Sequence, residues 1–230
     1  MKETLIDYIY RQCTHYLSEW NAELREDVYV LAFHIQEWGG QDENDIYVSM
    51  SSIVLIGNTL KSTKDRQANE LSEEDTRWIP AFFKGQRLLS FPYYEYKKAL
   101  DPHEIALYDE WLSLNHVTPT GKDEGGRNVY SGKGEALYKA LGLACQEVVR
   151  RLHKRGFADI LRKSIPVLIS YDGRDEGIIS LSATIQCNPP EVLTKFLAYA
   201  NYAKNNHLHW SWMFDFSDNE ALTPPLDYLQ

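Results

Sequence analysis

The chain has 230 residues, of which 43% are hydrophobic, and a formal net charge of −9 at pH 7. Nucleic acids and anionic membranes attract clustered Lys and Arg, so this balance argues against both as partners and is compatible with a basic protein partner. No apolar run approaches the roughly 20 residues of a membrane-spanning helix, and the first residues lack the apolar core of a signal peptide. We therefore expect a cytoplasmic protein.

In the first half of the chain, hydrophobic spacing and turn residues predict alternating helices and strands. The predicted elements are a helix over 3–24, strands over 28–35 and 46–51 with a possible continuation over 53–56, a polar turn at 39–44, a helix start at 72–75, and a helix opened by Asp101-Pro102. The two strands are expected to pair as a hairpin. A polar loop is predicted over 57–71.

The glycine-rich stretch 115–134 is the longest predicted loop and the best candidate for a mobile or functional segment. Glycine-rich loops can hold phosphate, but this one has neither the P-loop pattern nor the dinucleotide-binding pattern. Phosphate binding here is therefore an alternative rather than the main interpretation.

The second half opens with the strongest predicted helix, over 135–155, with Gly156 as its cap. Arg150, Arg151, Lys154 and Arg155 crowd its end, where the helix dipole favours cations, so a nucleic-acid patch is not inferred. A second hairpin is predicted from strands over 165–171 and 178–184.

An Asn-Pro-Pro-Glu corner is then expected to join a strand ending at Ile185-Gln186-Cys187 to a helix that runs to about Asn205. Asn188 is predicted to be its N-cap, and Glu191 has the capping-box spacing. The element order indicates an α+β fold in which antiparallel hairpins form a sheet with helices packed on it. We predict a single domain over 1–230, with a C-terminal tail at 206–230.

Few residues are arranged for chemistry. His207 and His209 form a His-x-His pair with Asp215 nearby in sequence, but a metal site needs a third ligand, so they are only weak metal candidates and no cofactor is predicted. Asp172-Gly173-Arg174-Asp175 lacks the full pattern of a calcium loop.

Cys13, Cys145 and Cys187 are odd in number and far apart, which predicts neither a disulfide framework nor a zinc ribbon. Cys187 with a distant histidine is a possible thiol dyad, although an ordinary cysteine is favoured. No catalytic residue is predicted.

Aromatic side chains with polar tips are frequent on recognition surfaces. The tract from Arg77 to Tyr96 is rich in them, and we predict a binding surface there. Its predicted members are Arg77, Trp78, Tyr93, Tyr94 and Tyr96.

The Thr76-Arg77-Trp78 motif, the 135–155 helix followed by Gly156-Phe157, the 167–172 strand and the Asn188–Val192 corner together resemble a bacterial family. This is the domain-of-unknown-function family 4303, and the resemblance covers about residues 5–200. Some of its members are thought to be encoded beside toxin systems, so the resemblance implies an immunity or binding role and transfers no catalytic residue.

Two hypotheses follow. The first is a non-catalytic protein-binding module, such as an immunity protein that neutralises a basic toxin. The second is a metal-dependent hydrolase with a site around His207 and His209.

Overall fold

The structure, a computed structural model, describes residues 2–41, 47–60, 77–78, 87–91, 101–122, 126, 128–130, 134–171, 178–206 and 214–215. The helices are α1 (Leu5–Glu19), α2 (Ala22–Asp27), α3 (Pro102–Leu114), α4 (Gly134–Arg151), a π-helical turn (Leu152–Gly156), α5 (Phe157–Ile160), α6 (Leu181–Cys187) and α7 (Pro190–Asn205). The strands are β1 (Val28–Gln41), β2 (Tyr47–Thr59), β3 (Arg87–Phe91), β4 (Gly121–Lys122), β5 (Asn128–Val129), β6 (Val167–Tyr171), β7 (Ile178–Ser180) and β8 (Phe214–Asp215).

The main sheet has six strands in the order β3-β2-β1-β6-β7-β8. The β1–β2, β2–β3 and β6–β7 pairs are antiparallel, whereas β1–β6 and β7–β8 are parallel. In the central parallel pair, Leu31 lies beside Val167 and Ile35 beside Tyr171. The predicted α+β class is confirmed, and the sheet is mixed rather than built from antiparallel hairpins alone.

The predicted helix over 3–24 is two helices. Thr4 and Asp7 form a reciprocal capping box that begins α1, and α1 ends at Glu19 because Trp20 is extended. Asn21 then caps α2, its side-chain oxygen accepting from the Leu24 backbone N–H at 2.8 Å. A capping residue inside the hydrophobic repeat therefore divides it.

The first hairpin is longer than predicted. Gly39 and Gly40, which were expected to begin the polar turn, instead continue β1 and lie beside Ser49 and Val48 of β2. The start of the predicted 57–71 loop is also wrong, because β2 runs to Thr59. At Gly57 a Cβ atom would lie 2.9 Å from Leu31 Cδ2, so glycine permits the close packing of β2 there.

The helix opened by Asp101-Pro102 is confirmed as α3, with the Asp101 side chain accepting from the His103 N–H at 2.9 Å. It ends with His116 in the left-handed region at φ 60°, while the Val117 N–H donates to the Leu112 carbonyl at 2.9 Å. Within the predicted 115–134 loop, β4 and β5 pair as a short antiparallel ribbon.

Gly156 is not a helix cap. Its φ of −59° and ψ of −44° are right-handed helical, and the chain continues through the π-helical turn into α5. The helical run ends where Arg162 adopts a φ of 55° and its N–H donates to the Phe157 carbonyl at 2.9 Å. The basic residues from Arg150 to Arg155 therefore precede the last turn, and the helix dipole is a weaker explanation for them.

The predicted strand over 178–184 ends early. Ser180 closes β7 and caps α6, its hydroxyl oxygen accepting from the Ala183 N–H at 3.3 Å. Residues 185–187 are therefore helical rather than a strand, and Asn188 follows the end of α6. Pro189 is the N-cap of α7, while the end of α7 at Asn205 agrees with the prediction.

Hydrophobic residues are buried on both faces of the sheet. On one face, Leu31, Phe33 and Ile35 of β1 pack with α1, α3 and α4. On the other, Val30 and Ala32 pack with Trp78 and α7. The alternation of β1 side chains between the two faces explains its continuous apolar sequence. No helix of the described part is long and apolar enough to cross a membrane.

Candidate functional site

Trp78, predicted to belong to a binding surface, lies in the core. Its side chain is 3% exposed, with ring centroids 6.0 Å from Tyr29 on β1 and 5.7 Å from Phe196 on α7. The Trp78–Tyr29 contact is edge to face, a geometry that adds to the burial energy. Trp78 therefore joins α7 to the sheet and offers little surface to a partner.

Arg77 is half-buried above the same strand. Its guanidinium carbon lies 5.5 Å from the centroid of the Tyr29 ring, within cation–π distance. The Arg77 carbonyl accepts from the Tyr29 hydroxyl at 3.1 Å, and that hydroxyl accepts from Asn58 Nδ2 at 2.7 Å. Residues of β1 and β2 thus hold the Arg77 backbone and place its cation at the boundary between core and surface.

The other predicted members of this surface, Tyr93, Tyr94 and Tyr96, lie outside the described residues. The register shows only the direction in which β3 approaches them. Phe91 lies beside Ile53 and Arg87 beside Ile56, so β3 runs away from the Asn58 end of β2. The binding surface stays a prediction, with Arg77 as its partly exposed described member.

The weak metal candidates His207 and His209, and the predicted turn 172–177, are likewise outside the described residues. Within the described ranges, no group of three or more His, Cys, Asp and Glu side chains is placed to hold a metal ion. The structure therefore identifies no metal-binding arrangement in the part of the chain that it describes.

The three thiols are buried in the core. Burial raises the pKa of Cys13 and Cys145, and it raises the pKa of Cys187 to about 12. Because the thiolate is the nucleophile, a thiol that stays protonated at neutral pH is poorly reactive. The geometry therefore disfavours the thiol dyad considered for Cys187.

A serine–histidine pair joins the two central parallel strands. The Ser170 hydroxyl of β6 contacts His34 Nδ1 of β1 at 2.9 Å and donates to the Phe33 carbonyl at 3.3 Å. Both residues are buried, and Ser170 is 0% exposed. A hydroxyl enclosed between strands cannot reach a substrate, so this pair connects β1 to β6.

The most developed polar cluster lies where α6 meets β6, at residues that the sequence interpretation gave another role. The Ile169 N–H donates to Thr184 Oγ1 at 3.0 Å, and the Val167 N–H donates to Asn188 Oδ1 at 2.8 Å. Asn188 Nδ2 donates to the carbonyls of Val167 and Thr184, each at 2.8 Å. Side chains one helical turn apart thus complete the edge of β6 beyond its short pairing with β7.

His153, in the π-helical turn, completes this cluster. Its Nε2 lies 3.0 Å from Asn188 Oδ1 and its ring packs edge to face on Phe157. Asn188 Oδ1 is an acceptor only, so His153 Nε2 carries the proton and Nδ1 is the bare nitrogen. Nδ1 is buried and has no hydrogen-bond partner in the part of the chain that the structure describes, and burial lowers the pKa of His153.

Sequence reasoning missed His153 and Thr184 because nothing near them in the chain resembles a site. One signal was available: Thr184 and Asn188 have the i, i+4 spacing of neighbours on a helix face. It could be used only if residues 181–187 were known to be helical.

In comparisons with known proteins, no family model, no curated protein and no solved structure matches the chain. The resemblance to the domain-of-unknown-function family 4303 therefore stays a prediction.

Proposed function

We propose that the protein is a non-catalytic binding module that captures a basic protein partner, such as a toxin that it neutralises. The distribution of charge along the chain carries this proposal. Acidic and basic side chains are nearly equal in number among the described residues, so most of the net charge of −9 belongs to the segments between them. The acidic excess lies in the segments 42–46, 61–76, 172–177 and 216–230.

Several acidic side chains on or beside the described helices are paired with basic ones. Asp7 accepts from Arg151 at 2.7 Å, and Glu147 lies 3.2 Å from the same guanidinium. Glu3 accepts from Arg11 at 3.0 Å, and Glu110 from Lys2 at 2.7 Å. Exposed pairs of this kind contribute little to stability, but they reduce the local field of the helices. The acidic sequences 42–46, 61–76, 172–177 and 216–230 are therefore the main candidates for attracting a cation.

Two of the acidic segments follow strands that run in the same direction, although β1 continues to Gln41, roughly 20 Å past Ile35, the partner of Tyr171 at the end of β6. Residues 42–46 follow β1 and residues 172–177 follow β6, and β1 and β6 are parallel neighbours. Their sequences contain Asp42, Glu43 and Asp45, and Asp172, Asp175 and Glu176. Clustered negative charge accelerates encounter with a basic surface by long-range attraction.

The buried polar side chains support a binding role over a catalytic one. Ser170, Cys187 and Asn188 are enclosed, and their contacts connect strands and helices to one another. These groups stabilise the scaffold that carries the charged segments.

The proposal is tested by measuring binding of the purified protein to the proteins encoded beside its gene. We expect a specific complex whose association rate constant falls as salt is raised from about 0.05 M to about 0.5 M, because screening weakens long-range attraction. The triple variant Asp42→Asn, Glu43→Gln, Asp45→Asn should also associate more slowly.

The matched control neutralises three acids in the described helical region, Glu19→Gln, Glu23→Gln and Glu26→Gln. It changes net charge equally and should affect association less than the 42–45 variant. Absence of a complex with every neighbouring product, or a complex whose rates are independent of salt, would contradict the proposal.

A further inference from the structure

The contact between His153 and Asn188 joins three parts of the fold. His153 belongs to the π-helical turn after α4, Asn188 to the corner between α6 and α7, and Asn188 in turn holds Val167 of β6. The Asn188 amide uses both of its donors and both acceptor positions in these contacts and in the bond to Thr184. Because both acceptor positions of Asn188 Oδ1 are occupied, the amide cannot accept an additional hydrogen bond from a second N–H of His153.

Protonation of His153 would place a second N–H at Nδ1. That atom is buried and has no hydrogen-bond partner among the described residues. A buried donor without an acceptor costs free energy, and a buried charge costs more. The imidazolium can recover hydration only if the ring turns toward solvent, which separates Nε2 from Asn188 Oδ1.

The charged and titratable groups near His153 differ in their effect on its imidazolium form. Glu191 at the start of α7 is exposed and favours the imidazolium in the observed ring position, so it offsets part of the effect of burial on His153. Arg150, Lys154 and Arg155 on the same helical run are exposed cations near His153 in sequence. The Cys187 thiol of α6, whose pKa is raised, is uncharged near neutral pH and provides no counter-charge.

We propose that His153 is an acid-sensitive latch: as the neutral imidazole it holds the α6–α7 corner against β6, and on protonation it releases that corner. The latched state binds fewer protons than the released state, because the pKa of His153 is lowered by its burial. The latch is therefore complete above the ordinary histidine pKa of 6.5 and is lost as the pH falls below it toward the lowered value. For one proton, the limiting slope is about tenfold in the opening equilibrium per pH unit.

The test is amide hydrogen exchange of the full-length protein by NMR between about pH 7.5 and pH 5, corrected for intrinsic exchange rates. The reporters are the Val167 and Ile169 amides, which donate to Asn188 and Thr184. Amides paired between β1 and β2, such as that of Val54 opposite His34, are the internal reference. Protection of the reporters should fall with pH, toward tenfold per unit, while the reference changes less.

His153→Gln supplies a side-chain amide that can donate to Asn188 but does not titrate, so its reporter protection should be flat across this range. His15→Gln removes an exposed histidine on α1 and should behave as the parent protein. Reporter protection that is flat in the parent, that falls equally in His153→Gln, or that falls only together with the reference amides would overturn the latch.

Because His153→Gln could fail to fold, the parent protein gives a second measurement. Nitrogen-15 spectra of the histidine rings at neutral pH should show His153 as the Nε2–H tautomer, since Asn188 Oδ1 accepts from it. A protonated Nδ1 at neutral pH would contradict the geometry from which the latch is inferred.

Discussion

The side-chain amide of Asn188 pairs with both backbone polar groups of Val167, each at 2.8 Å. It occupies the edge of β6 at Val167, whereas the described pairing of β6 with β7 is at Ser170 and Tyr171. An amide side chain has the same donor and acceptor as a peptide group, so it can replace a neighbouring strand at one residue. This relationship connects the helical corner to the centre of the sheet.

Asn188→Ala should lower the free energy of unfolding by about 3 kcal/mol, because it leaves buried groups of Val167 and Thr184 without partners. Urea denaturation followed by circular dichroism measures this. Asn206→Ala is the control, since its amide bonds an exposed carbonyl at the end of α7 and should change stability by less than about 0.5 kcal/mol. Equal effects of the two substitutions would contradict the role assigned to Asn188.

Two glycine-to-alanine substitutions should change stability in opposite directions. Gly57→Ala places a methyl group 2.9 Å from Leu31 Cδ2 and 3.2 Å from the Trp20 ring, so it should destabilise by about 1–3 kcal/mol. Gly142 lies within α4, and an added Cβ there would have no described atom within 4 Å other than the local helix backbone, so Gly142→Ala should stabilise by about 0.5–1 kcal/mol. Thermal or urea unfolding of both variants checks the pair, and a shared sign would disprove one of the two local geometries.

His116→Gly should increase stability by about 1 kcal/mol, because His116 ends α3 in the left-handed region, which glycine adopts without the Cβ penalty. His15→Gly is the matched comparison: it introduces glycine within α1 and should destabilise by about 1 kcal/mol. Both are measured by denaturant unfolding. A destabilised His116→Gly variant would mean that the imidazole contributes more than its backbone strain costs.

The native protein should react slowly with a thiol reagent such as dithionitrobenzoate at neutral pH. Cys13, Cys145 and Cys187 are buried and burial raises the pKa of each, so reaction requires opening of the core. In denaturing guanidinium chloride all three should react rapidly. Fast modification of one thiol in the native state would reopen the hypothesis of thiol chemistry at Cys187.

Local patterns predicted the elements whose signals lie within one turn or one strand. The Asp101-Pro102 pair predicted the start of α3. The helical repeat after Pro190 predicted that α7 ends at about Asn205, where it does end. The predicted element boundaries were wrong where a residue type is compatible with two roles. Gly156 was predicted to cap a helix but continues it, and Gly39 was predicted to begin a turn but extends β1. Glycine accommodates each conformation, and the neighbouring packing selects between them.

The predicted binding surface also contains a residue type that is compatible with two structural roles. A tryptophan with polar neighbours is typical of both a recognition surface and a packed core, and the contacts of Trp78 with Tyr29 and Phe196 place it in the core. Arg77 stays at the boundary because its guanidinium can face water while its carbonyl is held by Tyr29.

The sequence by itself determined the α+β class and the net charge of −9, because hydrophobic period and charge are written residue by residue. Only the tertiary structure decided that β1 lies parallel to β6 and that Asn188 and His153 meet at Val167. These contacts join residues that are far apart in the chain. Their hydrogen bonds form because packing buries polar groups that would otherwise be hydrated. No local pattern contains that information.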